Sequence, residues 1–352
     1  MNISYLNIKS ERMNRICLFC VVVILGGPAA YSQTPATDTK TPQETARAFT
    51  RQGDYTNALV VLNEALKKDP QNLELSKDVA FNYYLEKEYD KGIAIAKGLV
   101  DRPDADVTTY QILALLYKAI GEVKECDKLY KAGIKRYPRS GVLLNEYGEM
   151  LWAKQDYSAI KLWEKGIEID PNYSGNYYNA AQYYFFTQDK VWGLIYGEIF
   201  VNLESYSKRT AAMKDMLLEG YKKMFTDANM QKNQDVKSPF VVAYLNIIGK
   251  LSFTIAQGIS AESLTVLRTK FIINWFETYP TNYPFRLFDY QRQLLKGGMF
   301  DAYNQWLFGA AENLTVFQAW TTSHSDEYTR FTDFQKGRIF KIPEGQYYQE
   351  SK

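Results

Sequence analysis

Cysteine and histidine are nearly missing from this sequence, with three Cys and one His in 352 residues. So few cysteines exclude a disulfide framework, and one histidine excludes a multi-histidine metal centre. An excess of one charge is missing as well. The 42 Lys and Arg stand against 40 Asp and Glu, which leaves no electrostatic basis for gripping nucleic acid. No glycine-rich loop follows a strand to cradle a phosphate, since Gly26-Gly27 ends an apolar run and Gly297-Gly298 joins two helical stretches. Long hydrophobic runs are absent too. Phe240 to Ile248, the longest after the N-terminal segment, is far too short for a hydrocarbon core of ~30 Å, so no membrane span is expected in the mature chain.

Sites for chemistry are equally sparse. His324 lies in Thr-Thr-Ser-His-Ser-Asp-Glu, but a triad is a matter of spatial geometry, and this stretch reads as a helix start. The pairs Glu86/Glu88 and Asp326/Glu327 read as solvated helix faces, not as the two carboxylates of a glycosidase. Asp104-Ala105-Asp106 offers too few oxygen ligands for a calcium loop. Asn172-Tyr173-Ser174 and Asn313-Leu314-Thr315 fit a glycosylation pattern that recurs by chance. No catalytic residue, metal or cofactor is expected.

The N-terminus carries an address. Arg12 and Arg15 precede the apolar run Ile16 to Leu25, and Ala30-Tyr31-Ser32 supplies small residues before Gln33. Residues 1–32 therefore read as a signal peptide cleaved between Ser32 and Gln33, with Met13 as an alternative start. Cys20 lies inside the run instead of after it, which argues against a lipid anchor. Cleavage removes Lys9, Glu11, Arg12, Arg15, Cys17 and Cys20. The mature chain would be charge-neutral, hold Cys126 alone, and be periplasmic or secreted.

Abundance lies in aromatic residues (28 Tyr, 19 Phe and 6 Trp) and in internal repetition. Small residues recur at Ala46, Ala80, Ala114, Gly148 and Ala181, and again at Ala58, Gly92, Cys126, Ala159 and Gly193. The step is 34 residues, with one residue lost in the turn after Tyr157. Bulky Phe49, Tyr83, Tyr117, Leu151 and Tyr184 keep the phase, and Pro70, Pro103, Pro138 and Pro171 close four copies. Two helices cross closely only where a side chain on each is small, and proline stops a helix. Gly53-Asp54, Gly121-Glu122 and Gln155-Asp156 mark the turn within a pair. Cys126 stands in a column of Ala and Gly, so it reads as a small buried residue and not as a reactive thiol.

These columns, and the run Gly53-Asp54-Tyr55-Thr56-Asn57-Ala58-Leu59 through Asp69-Pro70 above all, resemble the tetratricopeptide repeat. Five copies are assigned to 39–207 (39–72, 73–106, 107–140, 141–173 and 174–207) after a linker at 33–38. Copy two departs with Gly92 and Gly98 in its second helix, and copy five lacks a closing proline. The resemblance implies an all-α fold, a right-handed solenoid of helix hairpins. It also implies a concave groove lined by the first helix of each pair. Carried over position by position, the groove residues are Lys77, Phe81 and Tyr84; Gln111, Leu115 and Lys118; Asn145, Glu149 and Trp152; and Tyr178, Gln182 and Phe185. Phe81, Leu115 and Phe185 have the rival reading of packing between repeats or under a second half folded across the groove. The clamp by which some relatives grip a C-terminal carboxylate is not expected, because its positions hold Phe81, Leu115 and Glu149.

The period fades after 207 while helical spacing persists. Residues 208–337 read as an irregular all-helical C-terminal domain with a core of its own. Helices are expected over Arg209 to Phe225, from Ser238-Pro239 to Gly258, and from Ser260 to Tyr279. A degenerate hairpin follows at 284–309, from Pro284 to Lys296 and from Phe300 to Phe308, and then at least one helix before Gly337. Residues 338–352 read as an extended tail. The function expected is a non-enzymatic scaffold or adaptor of the bacterial cell envelope, holding a protein or peptide partner in the groove. The alternatives are a carbohydrate or peptide ligand on the groove aromatics and, least favoured, a hydrolase in the second half.

Overall fold

The computed structural model describes residues 40–349, apart from 188, 227–229 and 233. The expected signal peptide, its cleavage point and the linker lie outside the described residues. Those from 42 onward pack as one compact body whose regular elements, among the described residues, are all helices.

Five hairpins come first. They pair α1 (Pro42–Gln52) with α2 (Tyr55–Lys68), α3 (Leu73–Leu85) with α4 (Tyr89–Val100), and α5 (Val107–Ala119) with α6 (Val123–Arg136). The last two pair α7 (Gly141–Ala153) with α8 (Ala159–Ile169) and α9 (Ser174–Phe186) with α10 (Lys190–Leu203). Caps set the starts of several first helices: Asn72 accepts from Leu75 N at 3.0 Å, and Asp106 and Thr109 close a reciprocal box at the head of α5. Each of the first four hairpins turns through a left-handed residue, at Gly53, Lys87, Gly121 and Gln155, with φ between 60° and 79°. The columns of small residues are the crossing points. Ala46, Ala58, Ala80, Ala114 and Ala159 are wholly buried, and a Cβ added to Gly148 would lie 2.3 Å from Trp163 Nε1. Cys126 Sγ sits 3.9 Å from Ala114 O, where the two columns meet. Burial pushes its thiol up to about 11, so it stays protonated and unreactive.

The second half comprises α11 (Lys208–Met224), α12 (Pro239–Lys250), a 3-10 turn (Ser252–Ile255), α13 (Ala261–Thr278) and α14 (Arg286–Lys296). Then come α15 (Phe300–Asn304), a π-helical turn (Gln305–Gly309), α16 (Ala310–Glu312), α17 (Leu314–Ser323) and α18 (Ser325–Lys336). The helix expected to reach Gly258 stops at Lys250. The chain then tightens into the 3-10 turn so that Leu251 and Ile255 can both point inward, and Gly258, at φ +117°, closes that turn instead. The degenerate hairpin forms around Gly298, at φ +62°, with Ala302 wholly buried. Its second helix widens into the π turn and runs on to Glu312. The stretch before Gly337, where at least one helix is expected, holds two.

The second half has no core of its own. One apolar cluster runs unbroken from Ala80 to Ile342, and only the first hairpin packs through a separate cluster of Ala46, Ala58, Leu59, Leu62, Leu75 and Val79. The reason is α10. Nearly all of it is buried, and a helix that is apolar on every side must be covered on every side. Trp192 stacks on Phe240 of α12, and Gly197 lets Leu217 and Met213 of α11 come close. Glu198, one acidic residue on this helix, is met in the core by Arg268 of α13, by Gln291 Nε2 of α14 at 2.6 Å and by Tyr303 OH of α15 at 2.8 Å. The tail is extended, and it docks: Phe340 and Ile342 are buried, and Tyr348 stacks 4.9 Å from Phe240.

Candidate functional site

Helical spacing puts Glu74, Lys77, Asp78 and Phe81 on one face of α3, and Thr108, Gln111, Ile112, Leu115 and Lys118 on one face of α5. Arg47 of α1 and Glu146 of α7 complete a cleft of about 370 Å³ between these faces, within the range of ligand sites. Phe81, Ile112 and Leu115 supply its apolar surface. The structure thus brings together five residues expected in the groove: Lys77, Phe81, Gln111, Leu115 and Lys118.

Most of the polar lining is already committed. Asp78 Oδ2 accepts from Arg47 Nε at 3.0 Å and from Gln43 Nε2 at 2.8 Å. Lys77 is 5% exposed and bound to Glu74 and Asp106. Burial pulls its pKa down, but the two carboxylates outweigh burial and hold the ammonium above its ordinary value. Burial pushes the Asp106 carboxyl the other way, and Lys77 with the Thr109 amide and hydroxyl holds it below the usual range. Lys77 therefore braces the cleft wall and is not placed to greet a ligand. Glu146 accepts from Gln111 Nε2 at 2.6 Å and Tyr130 OH at 2.9 Å. Lys118 differs: it is exposed and has no carboxylate partner among the described residues, only the Tyr130 ring 5.9 Å away.

The remaining expected residues lie elsewhere. Tyr84 leans on Phe81 and Tyr89, outside the cleft. Trp152 joins Tyr157, Trp163 and Tyr183 in a packed aromatic group. Asn145 and Glu149 form a ladder with Asn179, whose Nδ2 reaches Asn145 Oδ1 at 2.8 Å and Glu149 Oε1 at 3.0 Å. Sequence reasoning misses Asn179, because it stands one residue beyond the register position Tyr178. In copy five the second half covers the groove positions: Arg209 of α11 lies 4.9 Å over the Tyr178 ring, and Lys223 3.9 Å over Phe185. Gln182 is half-buried beside them. Sequence reasoning also misses Glu74, Asp78, Thr108, Ile112 and Glu146, although each falls one helical step from an expected residue, and Arg47, which stands on the first repeat, where no groove residue is expected.

Two further points bear on chemistry. His324 is exposed, and its Nδ1 meets Ser323 Oγ at 2.9 Å and Trp320 O at 3.0 Å, not a carboxylate. Among the described residues no three His, Cys, Asp or Glu side chains gather as a metal site, and no helix is long and apolar enough to cross a membrane.

With hairpins, left-handed turns and small-residue crossings in place, the comparison with known families adds that a tetratricopeptide repeat model matches residues 49–116. The chain carries tetratricopeptide repeats. Such repeats are generally protein-interaction scaffolds. Among solved structures, the Thermus thermophilus tetratricopeptide protein TTC0263 is 17% identical, covering 50% of this chain and 97% of its own at a TM-score of 0.42. A tetratricopeptide repeat protein from Parabacteroides merdae is 16% identical, covering 83% of this chain and 97% of its own at 0.40. YrrB, described as a tetratricopeptide protein with an unusual peptide-binding site, is 13% identical, covering 49% and 90% at 0.35. No curated protein matches the chain.

Proposed function

We propose that this protein is a non-enzymatic adaptor of the bacterial cell envelope, and that its tetratricopeptide cleft holds a segment of a protein partner. The observation that carries the reading is the pairing of an apolar surface, Phe81, Ile112 and Leu115, with the ammonium of Lys118, which has no carboxylate partner among the described residues. An apolar side chain of the partner would be desolvated on that surface while an acidic neighbour meets Lys118, the combination of anchor and charge that gives peptide grooves affinity and register. The carboxylates of the lining already have cations or amides, so the cleft has little left to offer a basic segment. The envelope setting is supported by Arg12, Arg15, the run Ile16 to Leu25 and Ala30-Tyr31-Ser32.

A photo-crosslinking side chain placed at position 118, expressed in the native host, tests the cleft. One discrete adduct is expected, and it should vanish when Leu115→Glu is added. Adducts that persist in that variant, or that form equally from position 128 on α6, would refute the cleft as the site. N-terminal sequencing of the mature protein tests the setting: Gln33 as first residue is expected, and an uncleaved chain in the cytoplasm would refute it.

A further inference from the structure

A second, larger cleft of about 730 Å³ opens in the other half of the chain. One wall is α13, from Glu262 to Ile273, about 16 Å along a helix of this rise. The opposite wall holds Asp301 of α15, Gln305 at the start of the π turn, and Trp320 and His324 at the end of α17.

Three observations set this cleft apart from the tetratricopeptide one. First, α17 contains no fully buried residue: Trp320 rests one side on the core and is left half-exposed at the cleft. His324 stacks face to face on Trp320, with ring centres 4.4 Å apart and planes only 6° from parallel, and the stacked pair lines the wall of the cleft. Second, the helix carrying Gln305 is widened into a π turn, a costly local geometry that concentrates at functional sites. Third, the side chains of Glu262, Asp301 and Gln305 make no hydrogen bond or ion pair with any described residue. In the first cleft nearly every such group is paired. Here the acceptors are uncommitted and held on helices.

The chemistry of that set selects a ligand class. An apolar C–H face of a pyranose ring matches a flat aromatic surface, where stacking removes both from water. Neighbouring hydroxyls are donors, and carboxylates and carboxamides accept two at a time. Two carboxylates against the single ammonium of Lys270 disfavour an acidic sugar. A polypeptide fits less well. Val266 and Ile273 stand two turns apart on α13 with Thr269 and Lys270 between them, so this wall gives no continuous apolar stripe. We propose that this cleft binds a neutral oligosaccharide, packed on the outer face of the Trp320–His324 stack and hydrogen-bonded by Glu262, Asp301 and Gln305. The site is independent of the peptide cleft.

The test uses the mature full-length chain on a microarray of neutral gluco-, manno-, galacto- and N-acetylated oligosaccharides, with uronic-acid oligomers as the charged arm. The best neutral binder is then titrated by calorimetry against the parent and three variants. Binding of neutral sugars is expected, weakened at least tenfold by Trp320→Ala and by Asp301→Asn and unchanged by Lys118→Glu. Should Trp320→Ala lose its fold by circular dichroism, Asp301→Asn on the exposed rim decides alone. An array without neutral binders, a preference for uronic acids, or equal affinity in the Asp301→Asn variant would overturn the proposal. So would a silent array with protection of 262–273 by a bound protein, which would assign the cleft to a polypeptide.

Discussion

Asn172 holds Ile342 with both atoms of its side-chain amide: Nδ2 donates to Ile342 O at 3.1 Å, and Oδ1 accepts from Ile342 N at 2.9 Å. The two residues are separated by 170 positions in sequence, and the contact ties the tail to the turn between the fourth and fifth hairpins. Asn172→Ala leaves the tail's amide and carbonyl without these partners, so a loss of about 1–2 kcal/mol is expected. Hydrogen exchange should accelerate across 338–349 while the α5–α6 amides stay protected. Unchanged exchange in the tail would show that Phe340 and Tyr348 alone keep it docked.

Ala114 is wholly buried where α5 meets α6. Ala114→Leu puts three extra carbons into a closed crossing and should cost about 1–3 kcal/mol in denaturant unfolding. A change of only a few tenths would contradict the crossing.

The turn residues make the opposite forecast. Gln155 sits at φ 60°, where Gly53 and Gly121 occupy the matching positions of other hairpins. A left-handed non-glycine residue costs roughly 1–2 kcal/mol, partly offset by the greater freedom of glycine in the unfolded chain. Gln155→Gly is therefore expected to stabilise by about 0.5–1 kcal/mol, read as a higher melting temperature.

Arg268 and Glu198 share one buried environment. Removing one partner strands the other's charge, so Arg268→Met should cost about 3–5 kcal/mol. The double variant Glu198→Gln with Arg268→Met should recover much of that loss. Equal damage in single and double variants would mean that packing, not charge, sets the cost.

Asp189, at the head of α10, gives a pH signature. Burial, reinforced by Asp235, pushes its carboxyl up to about 7. Between the ordinary carboxyl range and pH 7 the unfolded chain has released this proton while the folded chain keeps it. Stability therefore falls as pH rises through that window. Asp189→Asn should stabilise the protein by about 1–3 kcal/mol at about pH 8 and leave it unchanged at about pH 3. A gain of equal size at both values would rule out titration of Asp189 as the cause.

The sequence by itself determined the hairpins, their turns and their crossings, because each depends on residue types a fixed short distance apart. Small residues every 34 positions, left-handed turns and closing prolines act locally, and five residues expected in the groove, from the second and third repeats, do line one cleft. Tertiary structure decided the rest. Whether Lys77 faces a ligand or braces a wall depends on Asp106, supplied by the next repeat. Tyr178 and Phe185 look like groove residues until Arg209 and Lys223 of α11 cover them. The shared core could not be read from periodicity either, since α10 is apolar all round and only the folded chain shows which helices cover each side. The second cleft is the clearest case: Glu262, Asp301 and Trp320 share no motif and no spacing, and only the packing of α13 against α15 and the π turn, on which α17 also rests, brings them to one surface.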